Sequence, residues 1–445
     1  MKFYEVLVIS ILLVGTVLFE PVGVCASELV PHEEFSLANG MKVVLHEDHR
    51  HPFVVVRVHY KTGMIDDPYG KAGMTNLMNR LMWYWSGHMS HGSPWSYYNE
   101  SGATGIGSWF STNSVDLQAT LPAANLETAL WIESDRMSFL LTNASTFLRD
   151  AIADTILDDK YADEAVPYRA TDKARWRTLF PPEHPYHDTI DGIADEVESI
   201  TLDDVVNHYR KYYQPNNAIL VLSGDIEPNS VKVLVKQYFE GPPSWKVGSH
   251  KTIQSSTLKK QMRIESVELV GTSPAINISW ITPPYGTYDD AIADFVALLL
   301  TRGYTGRLNH ALHSESDVLS VQARQNSDAN NSVFTIHVSM KKLDNYLSVL
   351  AKIDAVLQEI QSAGLTESEL ESIMKWDRLE MLQKLQTIEG KASFIKDLQI
   401  LPKNSIYRTS ALNRFKLISS SSVRVFIRKF LNERNAIQKI APVTQ

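Results

Sequence analysis

The chain repeats itself. Ile200-Thr-Leu-Asp-Asp-Val205 returns as Ile418-Ser-Ser-Ser-Ser-Val423, Arg210-Lys211-Tyr212 as Arg428-Lys429-Phe430, and Asn217-Ala218-Ile219 as Asn435-Ala436-Ile437. Every pair is 218 residues apart, with no gap. A constant offset of about half the chain points to duplication of a whole folding unit. Any fold proposed for the first half must therefore also suit the second.

The predicted elements obey that requirement. Phe53 to Tyr60 alternates β-branched residues with period two and reads as a strand. A helical stretch follows from Ala72 to Trp83, then a strand from Ser114 to Leu121 and a helix from Leu126 to Leu141. The second half offers a strand (Ala275 to Ile281), an apolar helix (Ala291 to Leu300), a strand (Ser332 to Ser339) and an amphipathic helix (Leu343 to Ala363). Strands grouped with helices in each half predict two homologous α+β domains, each a mixed sheet with packed helices. Pro242-Pro243 and the polar run after them break the periodicity. The expected division is therefore 27–240, a linker over 241–258, and 259–445.

The N-terminus reads as a signal peptide over residues 1–26. Lys2 is followed by an apolar run from Val6 to Phe19 and small residues at Val24-Cys25-Ala26. The run is shorter than the ~20 residues of a spanning helix, so no stable membrane span is expected, and the mature chain is expected to be periplasmic or secreted. Cys25 is the only cysteine, so disulfides and thiol chemistry are not expected beyond it; a lipid on Cys25 is the alternative use. The formal net charge of -8 argues against nucleic acid as a partner.

Several short runs follow one another along the chain: Phe35-Ser-Leu37-Ala-Asn39-Gly40 with Pro52, the turn Gly70-Lys-Ala-Gly73, and Leu130-Trp-Ile-Glu133-Ser-Asp135-Arg136-Met137. His184-Pro185-Tyr186, Tyr212-Tyr213-Gln-Pro215-Asn216-Asn217, Gly224-Asp225 and Gly303 with Arg307-Leu308 continue the set. In this order the runs resemble the pitrilysin/insulinase family of zinc peptidases, which carry an inverted His-x-x-Glu-His motif. The resemblance implies that one such chain forms half of a clamshell-like chamber, with the other half supplied by a second chain. It also implies zinc as the cofactor of active members and peptides as substrates.

At the motif itself this sequence departs from the family. Asn76 stands at the first histidine, Asn79 at the glutamate and Arg80 at the second histidine; Asp159, or alternatively Asp158, is nearest to the third ligand. Residues i and i+4 share a helix face, which is how two histidines reach one metal. An amide oxygen is a poor zinc ligand, a guanidinium has no lone pair to give, and an asparagine takes no proton from water. No metal and no cofactor are therefore expected. Arg80 is expected either to bridge to Asp158 or Asp159, replacing the metal as a cross-link, or to reach solvent.

Other candidate ligands are His88 with His91 and His310 with His313, at i,i+3 spacing without an evident third ligand; His46, His49 and His51 read as solvated. Active members hold peptide along an edge strand by strand addition. The matching stretch here contains Gly105, Gly107 and Ser108, followed by bulky Trp109 and Phe110. His313 stands where the second half of the family supplies an arginine. The aromatic run from Trp83 to Tyr98 is read as core, as an interface, or as filling for the vacated metal pocket. These readings lead to a non-catalytic subunit pairing with a zinc-bearing paralogue. The alternatives are an active zinc metalloendopeptidase with ligands drawn from His88, His91 or His313 with Asp159, and a peptide-binding self-dimer.

Overall fold

A computed structural model describes residues 29–443 except 85, 90, 91, 188–191, 252, 254, 269, 271, 272, 404 and 410. The segment 1–26 read as a signal peptide, with Cys25, and His91 lie outside the described residues.

Each half is a mixed sheet with helices. The first sheet contains β1 (Glu33–Ser36), β2 (Lys42–Glu47), β3 (Phe53–Tyr60), β4 (Thr104–Phe110), β5 (Val115–Pro122) and β6 (Ala218–Gly224). The second contains β7 (Met262–Glu268), β8 (Ala275–Thr282), β9 (Val318–Asn326), β10 (Ser332–Met340) and β11 (Ala436–Pro442). Their spatial orders are β1-β2-β6-β3-β5-β4 and β7-β11-β8-β10-β9. Without β1 the two orders correspond strand for strand, and only the β2–β6 and β7–β11 pairs are parallel.

Five helix pairs follow the same duplication. In the first half they are α1 (Met74–Tyr84), α2 (Leu126–Phe139), α3 (Ala144–Ala165), α4 (Arg169–Leu179) and α5 (Leu202–Tyr212). Their counterparts are α6 (Tyr288–Thr301), α7 (Tyr346–Ala363), α8 (Glu367–Lys384), α9 (Ile388–Ile400) and α10 (Ser420–Phe430). α5 and α10 begin 218 residues apart, as do β6 and β11. Both α5 and α10 start with a capping box, Thr201 with Asp204 and Ser419 with Ser422, so the repeated serines and aspartates have a structural cause.

One face of each sheet packs on its own helices. On β3, Val54, Val56, Val58 and Tyr60 join Leu77, Leu81 and Leu130 in the first core. Ile276, Ile278 and Trp280 of β8 join Phe295 and Phe426 in the second. The opposite faces are covered reciprocally. Leu385, Ile388, Phe394, Ile395 and Leu398, on α9 or just before it, bury Val44, Val55, Ile219 and Val221 of the first sheet. Leu179 of α4, with Phe180 and Tyr186, packs on Ile281, Val333 and Ala436 of the second. Each half thus lends a helix to the other. Strands covered on both faces carry near-continuous apolar runs, as in Phe53-Val-Val-Val.

His46 departs from the solvated reading. It lies on β2, between β1 and β6, is 5% exposed, and pairs through Nδ1 with the Pro31 carbonyl at 2.7 Å. His49 is exposed and reaches Asp225 at 2.5 Å and Glu47 at 2.6 Å.

Candidate functional site

The helix at the motif position is set by the turn before it. Gly73 has φ +102°, a conformation side chains avoid, and a Cβ on neighbouring Gly192 would lie 2.5 Å from the Gly73 Cα. Buried Asp67 caps the helix. Its carboxyl accepts from the Gly73 and Thr75 N–H groups, both at 2.9 Å, and from the Thr75 hydroxyl at 2.6 Å. Burial pushes the Asp67 carboxyl up to about 7 against the lowering effect of these donors.

From that start, α1 turns Asn76, Asn79, Arg80, Trp83 and Tyr84 toward one cleft of about 410 Å³. Two side-chain bonds tie α1 to α3 across it. The Arg80 guanidinium donates to the Asp158 carboxylate, and the Tyr84 hydroxyl donates to Asp154. Both donors and both acceptors are four residues apart, so the bonds occupy successive turns of the two helices. Asp158 therefore takes the expected cross-link. Asp159 turns elsewhere and accepts from Lys173 of α4 at 2.8 and 3.0 Å, with Arg169 at 3.7 Å. The Tyr84–Asp154 bond and the Lys173 partnership were not anticipated from sequence; the i,i+4 spacing of Tyr84 from Arg80 and of Asp154 from Asp158 is the signal that could have revealed the former.

These residues do not fit zinc. A guanidinium projects from the position that the sequence resemblance assigns to the second histidine, and its carboxylate partner is already engaged. Asn79 Oδ1 and Arg80 Nε are buried without a hydrogen-bond partner among the described residues. The unsatisfied oxygen on α1 is thus a neutral amide beside a cation, a donor set opposite to what a divalent ion needs.

The candidate substrate edge lies next to the cleft. β4 is the terminal strand of the first sheet, with a register shift between Thr104 and Gly107. Gly105 has φ +56°. Ser108 Oγ accepts from the Trp83 indole N–H at 2.8 Å, which fastens α1 to the edge strand. Trp109 is 51% exposed and folds its ring toward Gly107, while Phe110 packs against the core. Trp83 also lies over Arg136, 4.6 Å from guanidinium to ring, and Arg136 is fully buried and paired with Glu133. The Glu133-Ser-Asp135-Arg136 signature is thus a buried brace behind the cleft. Tyr98 joins it by donating to Glu133, which places this part of the aromatic run in the core. Trp83 and Tyr84 line the cleft itself.

The remaining candidates are dispersed. His88 Nδ1 pairs with Asp135 Oδ1 at 2.6 Å. His313 is exposed and caps the short helix Arg307–Leu312 in the other half, before β9. Arg307 is held by both carboxylate oxygens of Glu369, at 2.8 and 3.0 Å.

Residues 199–375 match the family described as the Peptidase M16 inactive domain. The chain is 22% identical over 381 residues to the zinc protease PqqE of Helicobacter pylori, covering 83% of this chain and 84% of that protein. The crystal structure of a protease from Helicobacter pylori superposes with TM-score 0.82 at 18% identity, over 93% of this chain and 100% of that one. Two longer proteins share the fold over about half their length. The periplasmic protease PqqL from Escherichia coli gives TM-score 0.74 at 16% identity over 92% of this chain and 47% of its own. Pitrilysin gives 0.77 at 14% identity over 93% and 45%. The duplicated α+β architecture and these relationships make the chain similar to the pitrilysin-type M16 peptidases, whose inactive-domain family it matches over residues 199–375.

Proposed function

We propose that this protein is a non-catalytic, exported subunit that pairs with a zinc-bearing paralogue and completes a chamber for peptides. The observation that carries the reading is the Arg80–Asp158 bond at the motif position, next to Asn79. A side-chain cross-link stands where active members of the family place metal and general base. Length supports the pairing: the chain accounts for 47% of PqqL and 45% of pitrilysin. The apolar segment near the N-terminus and the similarity to PqqL, a periplasmic protease, support export. No helix among the described residues is long and apolar enough to cross a membrane.

Reconstitution tests the pairing. The mature chain is mixed with a family member from the same cells that retains His-x-x-Glu-His. A one-to-one complex whose peptide cleavage exceeds that of either chain alone is expected. A chain that never associates with such a relative, and leaves its activity unchanged, overturns the reading.

A self-dimer is the second reading. The Helicobacter pylori protease structure is matched over 100% of its chain, so a unit of this size is also found as a separate chain. A sizing experiment on the purified chain separates the two.

A further inference from the structure

Away from the motif cleft, α4 leaves part of the second sheet's face uncovered. Two clefts flank the first turns of α4. One, about 430 Å³, opens between the halves and is walled by Met64, Val166, Pro167 and Trp176. Trp176 stacks on Phe180 with ring centroids 5.5 Å apart and planes 15° apart, so its ring is held flat as one wall. The other, about 570 Å³, runs over the sheet and is polar. Its floor is a patch of paired residues, Arg324 beside Thr335 and Gln322 beside His337. Asp172 and Asn326 line both clefts, so the two adjoin.

The charges in the polar arm are unequal in availability. Arg175 is 5% exposed and already occupied by Asp172 at 3.0 Å and the Thr335 hydroxyl at 2.7 Å. Arg324 is exposed on the edge strand β9 and donates only to the neutral amide oxygen of Gln322, at 2.8 Å. No carboxylate lies within ion-pair distance of Arg324 among the described residues. The trough thus offers a flat apolar wall in one arm and, two residues along β9 from the shared Asn326, an uncommitted guanidinium in the other, with hydroxyl and amide groups around it. An extended peptide has that character when a bulky apolar residue is followed by a carboxylate.

We infer that this trough binds an extended peptide segment, seating a bulky apolar side chain against Trp176 and a carboxylate at Arg324. The inference rests on the peptide-handling reading above but needs neither a partner chain nor a metal. The carboxylate comes either from an acidic side chain or from a free C-terminus.

Fluorescence anisotropy on the full mature chain tests it with labelled unstructured ten-residue peptides. The parent peptide carries one phenylalanine, one downstream aspartate and a free C-terminus. Its variants replace phenylalanine by alanine, replace aspartate by asparagine, or carry a C-terminal amide. Binding of the parent is expected to weaken at least tenfold with Phe→Ala and with the protein variant Arg324→Glu. The asparagine and amide variants assign the carboxylate: the one that weakens binding tenfold identifies its source. Arg324→Glu lies on an exposed position, so it keeps the fold where Trp176→Ala could disturb packing. Equal binding by wild type and Arg324→Glu, indifference to phenylalanine, or no saturable binding overturns the inference. Because the isolated chain is used, such a failure is distinct from failure to pair with a zinc-bearing relative.

Discussion

Arg80 of α1 is bonded to Asp158 of α3, which joins the helix carrying Asn76, Asn79 and Arg80 to its neighbour by a direct side-chain cross-link. Its neighbour Tyr84 bonds to Asp154 one turn further along. The pair of bonds gives the two helices a metal-free clasp. Arg80 is 23% and Asp158 63% exposed, so solvent screens the ion pair. We expect Arg80→Ala to cost no more than about 1 kcal/mol, as for other partly exposed pairs. Arg80→Ala with Tyr84→Phe should cost more than either change alone. Thermal melts check this, and no change in the double variant would show that the clasp contributes nothing.

The buried brace is a stronger element. Arg136 and Glu133 are each 1% exposed and bonded to one another, and Arg136 supports Trp83. Removing only the cation leaves a carboxylate uncompensated in the core. Arg136→Ala is expected to cost on the order of 3–5 kcal/mol. Denaturant unfolding measures it, and a cost below that of Arg80→Ala would contradict the assigned role.

Acid should weaken the fold through His208. The ring is 2% exposed, packed against Tyr212 and Tyr213, and burial holds its pKa down at about 3. An unfolded histidine takes up a proton near pH 6.5. Between these values the unfolded chain binds the extra proton, so stability present above pH 6.5 is lost as pH falls toward about 3. The slope from this residue approaches about 1.4 kcal/mol per pH unit. His208→Phe should show a shallower loss than wild type in unfolding series across that range. Parallel pH profiles for the two would exclude the effect.

The halves should not be stable apart. α9 of the second half covers Val44, Val55, Ile219 and Val221 of the first, and residues 179–186 return the arrangement. Residues 27–240 expressed alone would expose that apolar face. We expect aggregation or dye-binding expanded states, rescued by co-expression of residues 259–445. A monomeric 27–240 fragment with cooperative unfolding would contradict this.

The architecture was readable from sequence because duplication and period-two runs report on hydrogen bonding and burial along one chain. Phe53–Tyr60 and the start of the helix at Leu126 were placed to the residue. The reciprocal exchange of α4 and α9 was not readable, because a helix pattern reveals an apolar face but not the sheet it covers. The same limit explains His46: its burial comes from β1 pairing beside β2 and from the Pro31 carbonyl, neither of which is local to the histidine. At the cleft, Asn76, Asn79 and Arg80 were legible through spacing on one helix. The choice between Asp158 and Asp159 was not. It depends on Lys173 of α4, which draws Asp159 away.

Metal content with peptide cleavage tests the central claim most directly. The purified mature chain, equilibrated with zinc and then desalted, is assayed for bound metal and for chelator-sensitive hydrolysis of unstructured peptides. The account predicts far less than one zinc per chain and no such hydrolysis. One tightly bound zinc per chain, reduced by substitution at Asn76 or Asp158 and accompanied by cleavage, would contradict it.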